Sequence, residues 1–388
     1  MPPPVALPDR GPARRGAPVS DTGLVPPLIR TVPPETEHTR SFRTHAAYQS
    51  AFRALAFGGR SRGREHYLPE LAERAVSAFS GRVKPLTPDK LVDLKTIRAC
   101  LHRAWGTEAI LCTTVGLSSG ADMTRLTLAW GSVQTYYASY NAVQALQVAS
   151  GKTRTEEHHL TQRENVDLWV NRRQMTLAPW SLAAAEPGAR LTCTSGFLNG
   201  PGRALDLSLH PWAVPVPGQE WDLAGKALRS TREDAVEEAW KREREQKRKA
   251  RRRAWTTEEE ARLDAGRKPR KGGPPAGLPQ LTPAEKLDVR RRVRPFTLLD
   301  YLFRLRIKAN YIDVDVFSQG PDSDHAATAF AWGMQDLVSA TLLVHEMRLS
   351  MLLGPKWVLE EADGWIADHR GLPASEGVAA RRAILAAL

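Results

Sequence analysis

From Phe296 to Leu353 the apolar residues recur every three or four positions, and this periodicity constrains the fold more than any other feature of the chain. Leu298, Leu302, Leu305, Ala309, Ile312 and Val316 step by four and three, which predicts one helix from about Phe296 to Phe317 with a single apolar face. Gly320 marks its end. A second helix is expected from about Asp324 to Leu353, with Phe330, Met334, Leu337, Thr341 and Val344 turned inward and Gly354-Pro355 as its stop. A third stripe, Leu126, Trp130, Val133, Tyr137 and Tyr140, lies in a helix expected from about Asp122 to Ser150 and closed by Gly151. None of these helices can bury its own stripe. The expected fold is therefore mainly α, a helical bundle in which 120–180 packs against 283–353.

The intervening sequence has a different character. Residues 1–40 are rich in Pro and Arg and predict a disordered tail, because proline removes backbone donors and the segment offers little to bury. Residues 41–180 supply the first helices and half of the bundle. Thr87-Pro88 reads as a helix start leading to about Trp105. Residues 181–280 read as an insertion with short strands, a basic charged helix and a linker. Leu205–Leu209 alternates as a strand does, Ser230-Thr231-Arg232-Glu233 has the capping-box pattern for a helix to about Ala265, and Lys268–Pro279 is linker-like. Thr282-Pro283-Ala284-Glu285 is another capping box, opening 281–388 with the rest of the bundle and two shorter C-terminal helices.

Composition narrows the function. No apolar run approaches the ~18 residues of a membrane span, and the N-terminus has no secretory apolar core, so no membrane partner is expected. Cys100, Cys112 and Cys193 are odd in number and far apart, which argues against a disulfide framework or a zinc ribbon and fits a reducing cytoplasm. Sequence motifs for nucleotide-phosphate loops, dinucleotide folds and the nucleophile elbow are absent. No cofactor is expected, and no metal. Adjacent His158 and His159 point ~100° apart on a helix and do not share an ion.

The net charge of +12 suggests polyanion partners. Much of it comes from the tail and from one run, KREREQKRKARRR, Lys241 to Arg253, where nine of thirteen residues are Lys or Arg. Arg248, Lys249, Arg251 and Arg252 are the candidate nucleic-acid contacts, and a solvated charged helix is the alternative. Trp240 and Trp255 flank the run.

Two segments carry a family resemblance. TYYASYNAVQALQVASG followed by His158-His159 resembles the first helix hairpin of HEPN domains, and LFRLRIKANYIDVDVF resembles their later helix. The resemblance implies an all-α, dimeric, RNA-directed protein of a bacterial defence or toxin-like system. It also implies a metal-independent ribonuclease chemistry in which an Arg steadies phosphorane charge and a His four to six residues later moves protons. Here Arg306 is followed by Tyr311, a poor base at neutral pH, so a weak or inactive ribonuclease is expected. Arg154 with His158 and His159 repeats the Arg-then-His spacing elsewhere. A non-catalytic protein-interaction adaptor and a regulator acting through the basic helix are the other readings. Among the remaining expectations, Arg306 joins a polar network with Asn310, Asp313 and Asp315, while Tyr136, Tyr137 and Tyr140 serve as core.

Overall fold

A computed structural model describes residues 36–58, 64–81, 83–86, 92–116, 121–171, 177–186, 197–198, 219–372 and 375–388. The fold is mainly α. Its helices are α1 (Glu37–Ala56), α2 (Arg64–Phe79), α3 (Leu94–Gly116), α4 (Ala121–Ala149), α5 (His158–Asn165), α6 (Glu220–Asp264), α7 (Pro283–Arg292), α8 (Leu298–Ile307), α9 (Val314–Ser318), α10 (Asp324–Leu353), α11 (Pro355–Asp368) and α12 (Ser375–Ala387). Two-residue strands β1 (Ala183–Ala184) and β2 (Phe197–Leu198) pair in parallel, and Ala184 bridges to Phe296. The strand expected at Leu205–Leu209 and the helix start at Thr87-Pro88 lie outside the described residues. The tail expected over 1–40 overlaps α1, which begins at Glu37 with the Thr36 hydroxyl accepting from the Thr39 N–H at 3.1 Å.

Helix α4 is the axis of the bundle, with α3, α8 and α10 packed on it. It runs parallel to α10: Arg125 pairs with Asp324 at one end, and one turn and a half later Gly131 meets Met334. A Cβ at Gly131 would lie 2.7 Å from the Met334 Cε, the end of a flexible side chain, so glycine leaves room there for the methionine. Phe330, Met334, Leu337, Thr341 and Val344 are buried as their spacing predicts.

Several sequence expectations need correction. Leu126 and Trp130 are 68% and 55% exposed, because the first turns of α4 have described helices only on the face that carries Leu128 and Gly131. The single helix expected over 296–317 is broken. Thr297 and Asp300 cap α8 reciprocally, and at Lys308–Ile312 the backbone widens into a π-type turn closed by the Asp313 N–H on the Lys308 carbonyl at 2.7 Å. The extra residue rotates Ile312 out of the stripe, where it is 67% exposed. Helix α3 continues past Trp105 to Gly116.

Helix α6 starts at Glu220, a full ten residues before the expected cap. Leu223, Ala224, Ala227 and Leu228 are buried there, and α6 packs on α1 through this part. Burial of that stripe outweighs the local capping preference of Ser230-Thr231. Thr231 instead donates to the Ala227 carbonyl at 2.8 Å inside the helix. Arg232 is buried and donates to Glu186 at 3.2 Å and to the Arg290 carbonyl at 2.6 Å. The box at Thr282–Glu285 does cap α7.

At the other end of the molecule α12 is fastened by a buried ion cluster. Arg381 donates to Glu108 on α3 at 2.6 and 2.8 Å and to Glu346 on α10 at 3.0 Å. Trp105 Nε1–H adds a bond to Glu346 at 2.7 Å. Burial pushes the Glu108 carboxyl above the ordinary range, with Arg381 opposing. Arg381→Met should therefore cost ~3–5 kcal/mol of unfolding free energy, the usual penalty for stranding a buried charge. Adding Glu108→Leu and Glu346→Gln should recover part of it. Urea unfolding checks this, and a loss under ~1 kcal/mol for the single change would contradict the assigned role.

Candidate functional site

The site grows out of the α4–α5 connection. Gly151, at φ +83°, ends α4 in the left-handed region and turns the chain back. Three α4 side chains spaced by three and four then hold the returning loop. Gln147 donates to the Thr153 carbonyl at 2.7 Å, Gln144 donates to the Thr155 carbonyl, and Tyr140 O–H donates to that same carbonyl at 3.2 Å. One turn further back along α4, Tyr136 meets His158, the first residue of α5.

The Tyr136 hydroxyl lies 2.7 Å from His158 Nδ1. The imidazole sits among Tyr140, Phe303, Tyr136 and Tyr137, with ring centroids 4.9, 5.4, 5.5 and 6.1 Å away. Arg306, near the end of α8, stacks on the same rings: its guanidinium carbon is 5.0 Å from Tyr137, 5.6 Å from Phe303 and 5.7 Å from Tyr136. Arg306 Nε is buried without a hydrogen-bond partner, so ring faces hold this cation.

Burial lowers the His158 pKa first, and the Arg306 charge lowers it further. The N-terminus of α5 acts in the same sense. Burial also raises the Tyr136 hydroxyl above its usual value, with Tyr140 adding to the shift. Both groups are thus neutral at pH 7. A hydroxyl donates and accepts, so Tyr136 supports either imidazole tautomer and leaves Nε2 as acceptor or donor. That is the electronic requirement for a general base or acid.

The structure brings His158 and Arg306 together and separates the other candidates. Arg154 lies beyond Tyr140, donating to Gln144 at 3.2 Å and pairing with Glu156 at 3.0 Å. His159 is exposed and faces Glu157 at 3.4 Å. Tyr311 is 66% exposed on the π-type turn and makes no ring contact with the cluster. The network expected around Arg306 does not form, since Asp313 pairs with Lys308 at 2.9 Å and Asp315 accepts from Gln319 at 3.2 Å. Tyr136 is the residue that sequence reasoning set aside as core. It is buried as expected, and its hydroxyl is also the imidazole's partner; the TYY…HH order hinted at this pairing without fixing the loop that makes it.

The basic run forms the exposed second half of α6. One face is occupied: Arg244 donates to the Pro279 carbonyl at 3.1 Å, Lys247 pairs with Glu285, and Trp240 lies under Lys286 at 5.6 Å. The opposite face carries Arg242, Lys249, Arg252 and Arg253, which fall within ~100° of helix circumference and span ~17 Å. All four are exposed and none forms an ion pair among the described residues, although Arg242 adds to the effect of Lys241 in lowering the Glu238 pKa. Of the expected contacts, Lys249 and Arg252 belong to this stripe, Arg248 is paired with Glu245 at 2.8 Å, and Arg251 lies on the other side of the helix.

Among the described residues, no helix is long and apolar enough to cross a membrane. The chain matches no known family model, no curated protein and no solved structure.

Arg306→Met should raise the His158 pKa toward 6.5 by removing the nearby positive charge, as read by NMR titration of the ring protons. It should also cost ~0.5–2 kcal/mol of stability through the lost cation–π contacts. An unchanged His158 titration would show that Arg306 does not act on the imidazole.

Proposed function

We propose that this chain is an RNA-binding protein that engages the phosphate backbone through the outward stripe of α6. The observation that supports the reading is the sorting of charge around that helix. Cations on one face are engaged by α7 and the returning chain, while on the other Lys249, Arg252 and Arg253 form no ion pair among the described residues and Arg242 shares Glu238 with Lys241. An exposed basic row of this kind binds polyanions by releasing their counterions. Replacing these four residues with Gln keeps helix propensity and removes four charges. The slope of log K against log salt for single-stranded RNA should flatten by about 3, at ~0.7 per lost phosphate contact. An unaltered slope in a fluorescence-anisotropy salt series would count against the stripe.

A second reading has its own observation, the fixed Nδ1 and unengaged Nε2 of His158 beside Arg306. In this HEPN-like reading the chain is a weak, metal-independent ribonuclease. His158 takes the 2′-hydroxyl proton as that oxygen bonds to phosphorus, and returns it to the 5′-oxygen as the P–O5′ bond breaks, while Arg306 offsets charge on the phosphorane. His158→Ala should then lower RNA cleavage ~100-fold or more, the usual worth of an acid–base group, whereas His159→Ala leaves it unchanged. Cleavage by the purified chain in chelator that survives His158→Ala would remove His158 from the reaction.

A further inference from the structure

We infer that the groove between α6 and α8 receives an unstacked nucleobase, so that the chain selects single-stranded RNA over duplex. This rests on the RNA-binding reading and adds the identity of the strand. The groove has a volume of about 510 Å³, enough for a base with part of its sugar. Phe296, Phe303, Ile307 and Ile312 give it apolar walls. Phe303 packs on His158 at 5.4 Å, so the groove adjoins the imidazole cluster. Arg242, which belongs to the basic stripe, also lines it. A strand with its phosphates along α6 therefore has a base within reach of the groove.

The polar groups of the groove define what enters. Gln162 lines it and is only 5% exposed. Its Oε1 accepts from Arg294 at 2.9 Å, which fixes the amide orientation, and its Nε2 is buried with no hydrogen-bond partner. An amide N–H left in this way calls for an acceptor on the ligand. Four carboxylates share the groove. Asp234 is paired with Arg304, Glu238 with Lys241 and Asp300 with Arg294, while Glu237 is exposed and acts on Lys241 through its charge alone. Arg242, Arg304 and Lys308 line the groove too, so four carboxylates face three cations and it carries little net charge to select a phosphate. A Lys or Arg side chain brings no acceptor for Gln162. A nucleobase is neutral and flat and presents acceptors beside N–H donors, so it suits a groove of little net charge, the Gln162 donor and the aromatic wall. In a duplex those edges and faces are already engaged.

The test uses the full chain, with anisotropy titrations of a labelled mixed-sequence single strand and of its blunt duplex. The parent protein should prefer the single strand by ~10-fold or more, the scale of one stacked base. Gln162→Glu keeps an acceptor for Arg294 and removes the free N–H donors. It should abolish that preference while leaving duplex binding through the stripe unchanged. Ala235→Phe fills the groove from the α6 side and should have the same effect, with folding of both variants verified by thermal melting. Equal parent affinity for the two RNAs overturns the inference. So does single-strand affinity that survives both changes, a result that leaves the stripe intact as the binding surface. Binding of an arginine-rich peptide that Ala235→Phe abolishes, with single-strand affinity untouched, assigns the groove to a basic protein segment and overturns it too. Failure of the stripe itself shows separately, as an unaltered salt slope in the four-residue Gln variant.

Discussion

The burial of α4 around almost its whole circumference is the constraint on which the rest of the structure depends. From Gly131 to Ala149 every side chain except Tyr137 is buried, including Gln134, Thr135, Ser139, Asn141, Gln144 and Gln147. Polar groups taken out of water must find partners inside. The small ones turn back on their own helix: Thr135 donates to the Gly131 carbonyl at 2.8 Å and Ser139 to the Thr135 carbonyl at 2.9 Å. The long ones reach the next segment, and so Gln144, Gln147 and Tyr140 hold the 150–157 loop. Tyr136 follows the same rule with His158. The candidate site is thus a consequence of hydrogen-bond satisfaction on a central helix, which makes it stiff. Nothing in the Tyr136–His158 pair has to be ordered by a ligand.

The same constraint explains why charge appears so deep in the molecule. A bundle with a fully wrapped central helix needs elements on all sides, and the later ones arrive with ionic fasteners. Arg381 joins α12 to α3 and α10, and Arg348 donates to the Leu168 carbonyl at 2.9 Å while its guanidinium sits 4.4 Å from Trp169. Buried histidines are the counterpart. Burial brings His45 and His345 down to about 3, so both are neutral at ordinary pH and fill space as polar aromatics. In each fastener the strength comes from geometry that spans two elements, since a buried ion pair without good geometry does not offset its own desolvation.

How much of this was legible in the sequence depended on the range of the controlling interaction. The stripe of α10 was legible because periodicity is local and its partners are apolar on every side. The capping box of α7 was legible for the same reason. The expected α8 stripe failed at Ile312, where one extra residue in a turn shifts the register, and hydrophobic spacing carries no mark of that insertion. The start of α6 was missed because a local cap signal at Ser230 competed with a tertiary contact to α1. At the site, His158 and Arg306 were visible as residue types, but their meeting depends on Gly151 and two glutamines bending the chain. Tyr136 could not be separated from a core tyrosine, because burial and partnership both place it on the inward face.

Helix α6 shows how the two ends of this logic meet in one element. Its first half carries Leu223, Ala227, Leu228 and the buried Arg232, and belongs to the core. Its second half has almost no apolar residues, so tertiary burial cannot hold it, and a solvated helix of that length is only marginal by itself. It is kept in place by Trp240 against Lys286 and Arg290, by Arg292 on Glu243 and by Arg270 on Glu258. Single exposed pairs contribute little, ~0–1 kcal/mol each, so the brace works by number and by lying on one face. A brace on one face leaves the opposite face unopposed. The exposed basic stripe is therefore what remains when a polar helix is stabilised from one side only, and it starts at the groove where α6 leaves the core.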